Sequence, residues 1–247
     1  MTAIIISTVV AHHNTGRSLI SCGAPPYFKS MPACSQLRDA LQAKSGGLSL
    51  LVMMMLVPPV IGFLLALLIW KSGSTDIYNM RIAIIYLADQ HWSYLSAVVF
   101  CRLVNFLNMY PTCMHRAKIM RDEWEFGNVR ANMSIILYKA IGQNAAPNAV
   151  VMVEDGDVGA YNRANRSMHH FVENAAHFCV GVVMATAVFP FPTFVLVAVF
   201  ALGRVAHQTG YTTGYGAHRI GFGISQVCTL MLEGLCLVVF LKGAGVL

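Results

Sequence analysis

The sequence predicts an all-α integral membrane protein, and three observations carry that expectation. The 247-residue chain is 56% hydrophobic and only 11% charged, with a mean hydropathy of +0.59; a soluble domain carries roughly 25% charged residues. Uncharged runs approach the ~20 residues that a membrane-spanning helix needs. Within two apolar stretches, polar residues recur at steps of three and four, which places them on one face of a helix turning about 100° per residue.

Residues 1–47 form a polar, basic N-terminal arm, with Arg17, Lys29, Arg38 and Lys44 against the single acid Asp39. Its Ser/Ala/Pro-rich composition resembles an organelle transit segment; the other reading is an arm that packs on a neighbour. Residues 48–71 are the first spanning helix, with Pro58 and Pro59 at its centre to kink it. A second span covers 92–111, interrupted by Arg102, Asn105 and Asn108. The stretch 77–91 either extends that helix or lies in the interface. Residues 112–163 form a long polar loop, with a short surface helix expected over 134–141. Spans over 167–189, 193–213 and 220–241 follow. Phe189-Pro190-Phe191-Pro192 makes one tight turn between them and Gly214-Tyr215-Gly216 lies in the next.

Five spans put the arm, the 112–163 loop and the 214–219 turn on one side. That side carries twelve Lys and Arg residues, among them Arg116, Arg121, Arg163, Arg166 and Arg219, against Lys71, Arg81 and Lys242 on the other. The asymmetry places the arm and loop on the cytoplasmic side, or in the matrix of a mitochondrion. It also accounts for the net charge of +6 without a nucleic-acid partner, since no basic run has interleaved aromatics. The 7 cysteines form no CxxC pair, so neither a disulfide framework nor a zinc knuckle is expected. His170, Glu173 and His177 share a face, but a single-helix set without a second cluster does not make a metal site; no metal is expected. Asp155-Gly156-Asp157 lacks the spacing of a calcium loop and reads as a solvated turn.

The polar stripes carry the functional expectation. Arg166, His170, Glu173 and His177 follow one another at steps of four, three and four, and Arg204, His207, Tyr211 and Tyr215 at three, four and four. Ionisable residues in apolar helices face a bundle interior or a wet cavity. Counting outward from a turn at Phe191 sets Glu173 level with His207 to Tyr211, and His177 level with Arg204. Cations, a carboxylate and phenols then converge at one end of the bundle, a setting suited to an anionic ligand meeting a lipophilic partner. The alternative is a structural network tying helices together. Arg102 and Glu233 are expected to pair at mid-membrane.

At these residues the chain resembles the MAPEG family, the membrane-associated proteins in eicosanoid and glutathione metabolism. The resemblance rests on Arg166, Glu173, the string Gly203-Arg204-Val205-Ala206-His207, Tyr211 and Arg219, with Arg163 upstream; it covers roughly 92–242. It implies a MAPEG-like four-helix bundle, to which 48–71 adds one extra N-terminal transmembrane helix. It also implies glutathione held by Arg166, His170, Glu173, Arg204, His207 and Tyr211, with Arg219 stabilising the thiolate. His170 stands where the family motif has Asn. The activity implied is that of a glutathione-dependent transferase, peroxidase or isomerase acting on lipophilic substrates in the endoplasmic reticulum or mitochondrial membrane, commonly as a homotrimer among membrane lipids. The rival is a non-catalytic accessory subunit bound to unlike subunits of a larger membrane complex.

Overall fold

The computed structural model describes residues 33–119, 136, 138–140, 150–214 and 216–247, with side chains described over 47–115, 136, 151–214 and 216–247. The expectations for residues 1–32 of the arm, for most of the loop and for Tyr215 lie outside the described residues. Six helices carry the described chain: α1 (Ala33–Ser72), α2 (Thr75–Leu87), α3 (His91–Ile119), α4 (Gly156–Thr186), α5 (Pro190–Thr213) and α6 (Arg219–Gly243). Tyr138–Ala140 and Val150–Met152 pair as a small antiparallel ribbon, so strand stands where the sequence suggested a short helix over 134–141.

Among the described residues, three helical stretches are long and apolar enough to cross a membrane: Gly47–Ser72, Pro190–Thr213 and Arg219–Gly243. The other two expected spans lie in α3 and α4. With 29 and 31 residues these helices have the length and fall short in hydropathy, because polar and charged residues are spread along them, among them Arg102, Asn105 and Asn108 of α3 and Asn162, Arg163, Asn165 and Arg166 of α4. Helices α3, α4 and α5 pack on one another, α6 packs on α4 and α5, and α1 packs on α3. Their shared core joins Leu103 and Leu107 of α3, Phe171 and Phe178 of α4, Val197 and Phe200 of α5, and Cys228 and Leu232 of α6. Phe178 stacks on Phe200 at 3.7 Å. At the far end Trp92 packs against Phe191 and Phe194, and Gln90 donates to the Thr186 carbonyl at 3.1 Å.

Prolines explain two of the polar ties. Pro59 has no N–H for the carbonyl four residues back, which is that of Met55; Pro111 likewise frees the carbonyl of Leu107. A bare carbonyl is costly in hydrocarbon. Arg102 Nη1 donates to Met55 O at 3.4 Å, and Gln208 Nε2 donates to Leu107 O at 2.9 Å. Both helices run on through their prolines because side chains from other helices satisfy the freed groups.

The Arg102–Glu233 pair is therefore not formed. Glu233 is exposed on α6 and lies next to Leu232, which packs against Gly181 near the end of α4. Arg102 lies on α3 nearly level with Arg204, since Leu107 meets Gln208 and Tyr110 meets Thr212 (3.3 Å) along two parallel helices. The two residues sit at different depths.

Helices α5 and α6 approach closely at Gly203 and Gly221. A Cβ on Gly221 would lie 2.6 Å from Gly203 O and 2.8 Å from the carbonyl carbon of Ala206. Small residues at such crossings let backbones touch, and here they bring the start of α6 against His207.

Candidate functional site

The pairing of α4 with α5 builds the site. The turn between them lies at residues 187–189, because α5 already begins at Pro190, a favoured first helical residue. A turn about three residues before Phe191 shifts every cross-helix pairing by about six residues. Arg204, expected level with His177, instead meets His170: its Nη1 lies 3.4 Å from His170 Nδ1, and its Nη2 donates to the Ser167 carbonyl at 3.5 Å. His207, expected level with Glu173, meets Ser167, with Nδ1 2.9 Å from Ser167 Oγ. Toward the polar end Arg163 donates from Nε and Nη2 to Thr212 O at 3.3 and 3.1 Å, a carbonyl in the last turn of α5 left free by the helix end. Arg163 is thus a tie between helices.

A cavity of about 260 Å³ opens at this level, lined by Arg166, Ser167, His170, His207, Tyr211, His218 and Phe222. Its walls are a connected set of rings. His207 lies 5.8 Å from His170, 5.8 Å from Tyr211 in a near-parallel stack, and 5.5 Å from His218; Tyr211 and His218 meet edge-on at 4.8 Å. A much smaller niche adjoins it through His170 and Phe222, and Arg204, Ser225 and Gln226 line that niche.

Arg204 is the buried charge of the site. It is 4% exposed, lies 5.4 Å from the Phe171 ring centroid, and its Nε has no hydrogen-bond partner. No carboxylate lies within salt-bridge distance of it among the described residues; the ion pair they show is Arg166–Glu173, at 3.1 Å. An arginine remains charged at all accessible pH values, and a buried charge without a counter-ion is a standing deficit.

Of the seven residues singled out by sequence, Arg166, His170, His207 and Tyr211 line the larger cavity. Arg204 sits behind His170. Glu173, with 54% of its side chain exposed, binds Arg166 outside the cavity wall. Arg219 begins α6, is exposed, and does not line the cavity. Ser167, His218 and Phe222 line it and were not singled out. Ser167 had a signal in its step of three to His170; His218 had one in its step of seven from Tyr211. Phe222 had none.

The residues that build this cavity all fall in one matched region. Residues 127–238 match the MAPEG family. The MAPEG match takes in α4, α5 and α6 as far as Val238, and begins beyond the end of α3. No curated protein and no solved structure matches the chain. Within the MAPEG region, the Arg166, Glu173, Arg204 and Tyr211 pattern is thus associated with an imidazole-rich cavity in which His170 contacts Arg204.

Proposed function

We propose that this MAPEG-like membrane protein binds glutathione between α4, α5 and α6 and presents it to a lipophilic substrate, as a glutathione-dependent transferase, peroxidase or isomerase. The observation that carries the reading is the uncommitted Nε of buried Arg204 behind a donor-lined cavity: a cation held without a counter-ion suits an anionic ligand. Glutathione has two carboxylates, one ammonium group and one thiol. The Arg166–Glu173 pair, exposed and 3.1 Å apart, offers both signs to its zwitterionic end, and Arg204 suits the remaining carboxylate once His170 turns aside. The volume of about 260 Å³ falls just below the usual range of small-molecule sites, roughly 300–1,000 Å³, so the lipophilic partner must approach from the bilayer side.

Glutathione supplies a nucleophilic sulfur, which forms a C–S bond as a leaving group departs with the bonding pair, or supplies electrons for peroxide reduction. The chain's residues bind and orient: Arg166 and Arg204 neutralise the carboxylates, Glu173 takes the ammonium, and Tyr211 and His207 wall the cavity. Four helices, α3 to α6, make the MAPEG-like unit, and α1 is the extra span. The basic arm and loop face the cytoplasm or matrix, in the endoplasmic reticulum or mitochondrial membrane. Further copies in a trimer supply what one chain leaves open.

A second reading, a non-catalytic accessory subunit among unlike subunits, is favoured by Arg219 lying outside the cavity and by His170 occupying Arg204. Turnover assays on detergent-purified protein decide between them. Glutathione-dependent conjugation of a lipophilic electrophile or reduction of a lipid hydroperoxide supports the enzyme; absence of both at millimolar glutathione supports the accessory subunit.

A further inference from the structure

The cavity wall contributed by the junction of α5 and α6 is His218, the residue immediately before α6. Its ring stands edge-on to Tyr211 at 4.8 Å and to His207 at 5.5 Å. The Gly216 N–H points at its Nδ1 from 3.4 Å, so Nδ1 is the acceptor and the neutral ring carries its proton on Nε2. That Nε2 has no partner among the described residues. His207 and His170 are likewise held through Nδ1, by Ser167 Oγ and Arg204; His218 differs from them in standing at the start of α6. Arg219, to which the MAPEG resemblance assigns the thiolate, is exposed and does not line the cavity.

We propose that His218 is the thiol-activating residue: its Nε2–H donates to the sulfur of a bound low-molecular-weight thiol and holds it as thiolate. This rests on the glutathione reading above and changes which residue performs the step. The thiol proton leaves to solvent; no bond to the protein forms. An imidazole donor favours thiolate over thiol, whose free pKa is about 8.5. The positive end of the α6 dipole, which starts one residue later, acts in the same direction.

The test follows ultraviolet thiolate absorbance of bound glutathione against pH, with calorimetric affinity measured in parallel, for wild type, His218→Ala, His218→Gln and Arg219→Ala. The groups facing His218 are His207 and Tyr211 from α5, with Ser167, His170 and Arg166 of α4 across the cavity, and these are the same in every variant. The expected result is a half-ionisation point about one pH unit higher in His218→Ala, a tenfold loss of thiolate near neutrality. Affinity changes by less than about threefold, the loss of one weak contact. His218→Gln, which keeps an N–H donor, recovers part of the shift, and Arg219→Ala shifts less than His218→Ala. An unshifted His218→Ala, or an Arg219→Ala shift of equal size, overturns the assignment while leaving glutathione binding intact. A wild type that binds no glutathione overturns both this assignment and the proposed function.

Discussion

Arg102 and Arg204 sit almost level on parallel helices, each inside an apolar stretch, and the protein treats them differently. Arg102 faces α1 and donates to Met55 O, a carbonyl that Pro59 leaves without its helical partner. Its charge helps complete a backbone. Arg204 faces α4, where a ring contact with Phe171, a long contact to His170 and one carbonyl surround it, and its Nε remains unpaired. A membrane arginine that finishes a hydrogen-bond ladder is a structural element; one kept under-satisfied beside a cavity is, on the proposed function, a ligand site. The contrast teaches that depth and hydropathy do not distinguish the two roles, whereas burial does: Arg102 is half-buried and leaves no buried nitrogen unpaired, while Arg204 is 4% exposed with its buried Nε unpaired.

Substitutions that remove each charge sharpen this contrast, and the largest effect belongs to Arg204. Arg204→Met lowers glutathione affinity by about tenfold to a hundredfold, the loss of a charged hydrogen-bond partner, while thermal unfolding in detergent stays unchanged or moves upward, because an apolar group replaces an under-paired charge. Next comes Gly221→Ala, whose Cβ would meet the backbone of Gly203 and Ala206. It destabilises by about 1–3 kcal/mol through overpacking, read as a lower unfolding temperature, and pushes α6 away from the Arg204 side. Arg102→Met costs about 1 kcal/mol and leaves ligand affinity unchanged. In a Pro59→Ala background, where residue 59 regains an N–H for Met55 O, that cost shrinks; an undiminished cost would contradict the proline explanation. The smallest effect on stability is that of Glu173→Gln, below about 1 kcal/mol for an exposed pair, with a severalfold loss of glutathione affinity measured in the same titration.

Much of the architecture was legible in advance, since apolar runs and three-four spacing reveal helices and their faces. The start of α4 was hidden because Asn162 and Arg163 make residues 156–166 look like loop, yet Asn162 is fully buried and donates to Val153 O at 2.8 Å. Hydropathy records that a residue is polar and is silent on whether a partner awaits it. Likewise α3 runs through Pro111 to Ile119 because Gln208 covers the freed carbonyl, a tie made 101 positions along the chain. The stripes were legible as faces, but their register was not. Moving the turn from Phe191 to residues 187–189 exchanged Glu173 for Ser167 opposite His207, and His177 for His170 opposite Arg204. His218 was overlooked because the neighbouring Arg219 fitted the family spacing.

The central claim is that Arg204 is held for an anionic ligand. Calorimetric titration of detergent-purified wild type and Arg204→Met with glutathione tests it most directly. Saturable binding at millimolar or tighter affinity is expected in the wild type, weakened about tenfold to a hundredfold in Arg204→Met, with both proteins folded. Equal affinity in the two proteins, or no heat of binding in the wild type, would contradict it.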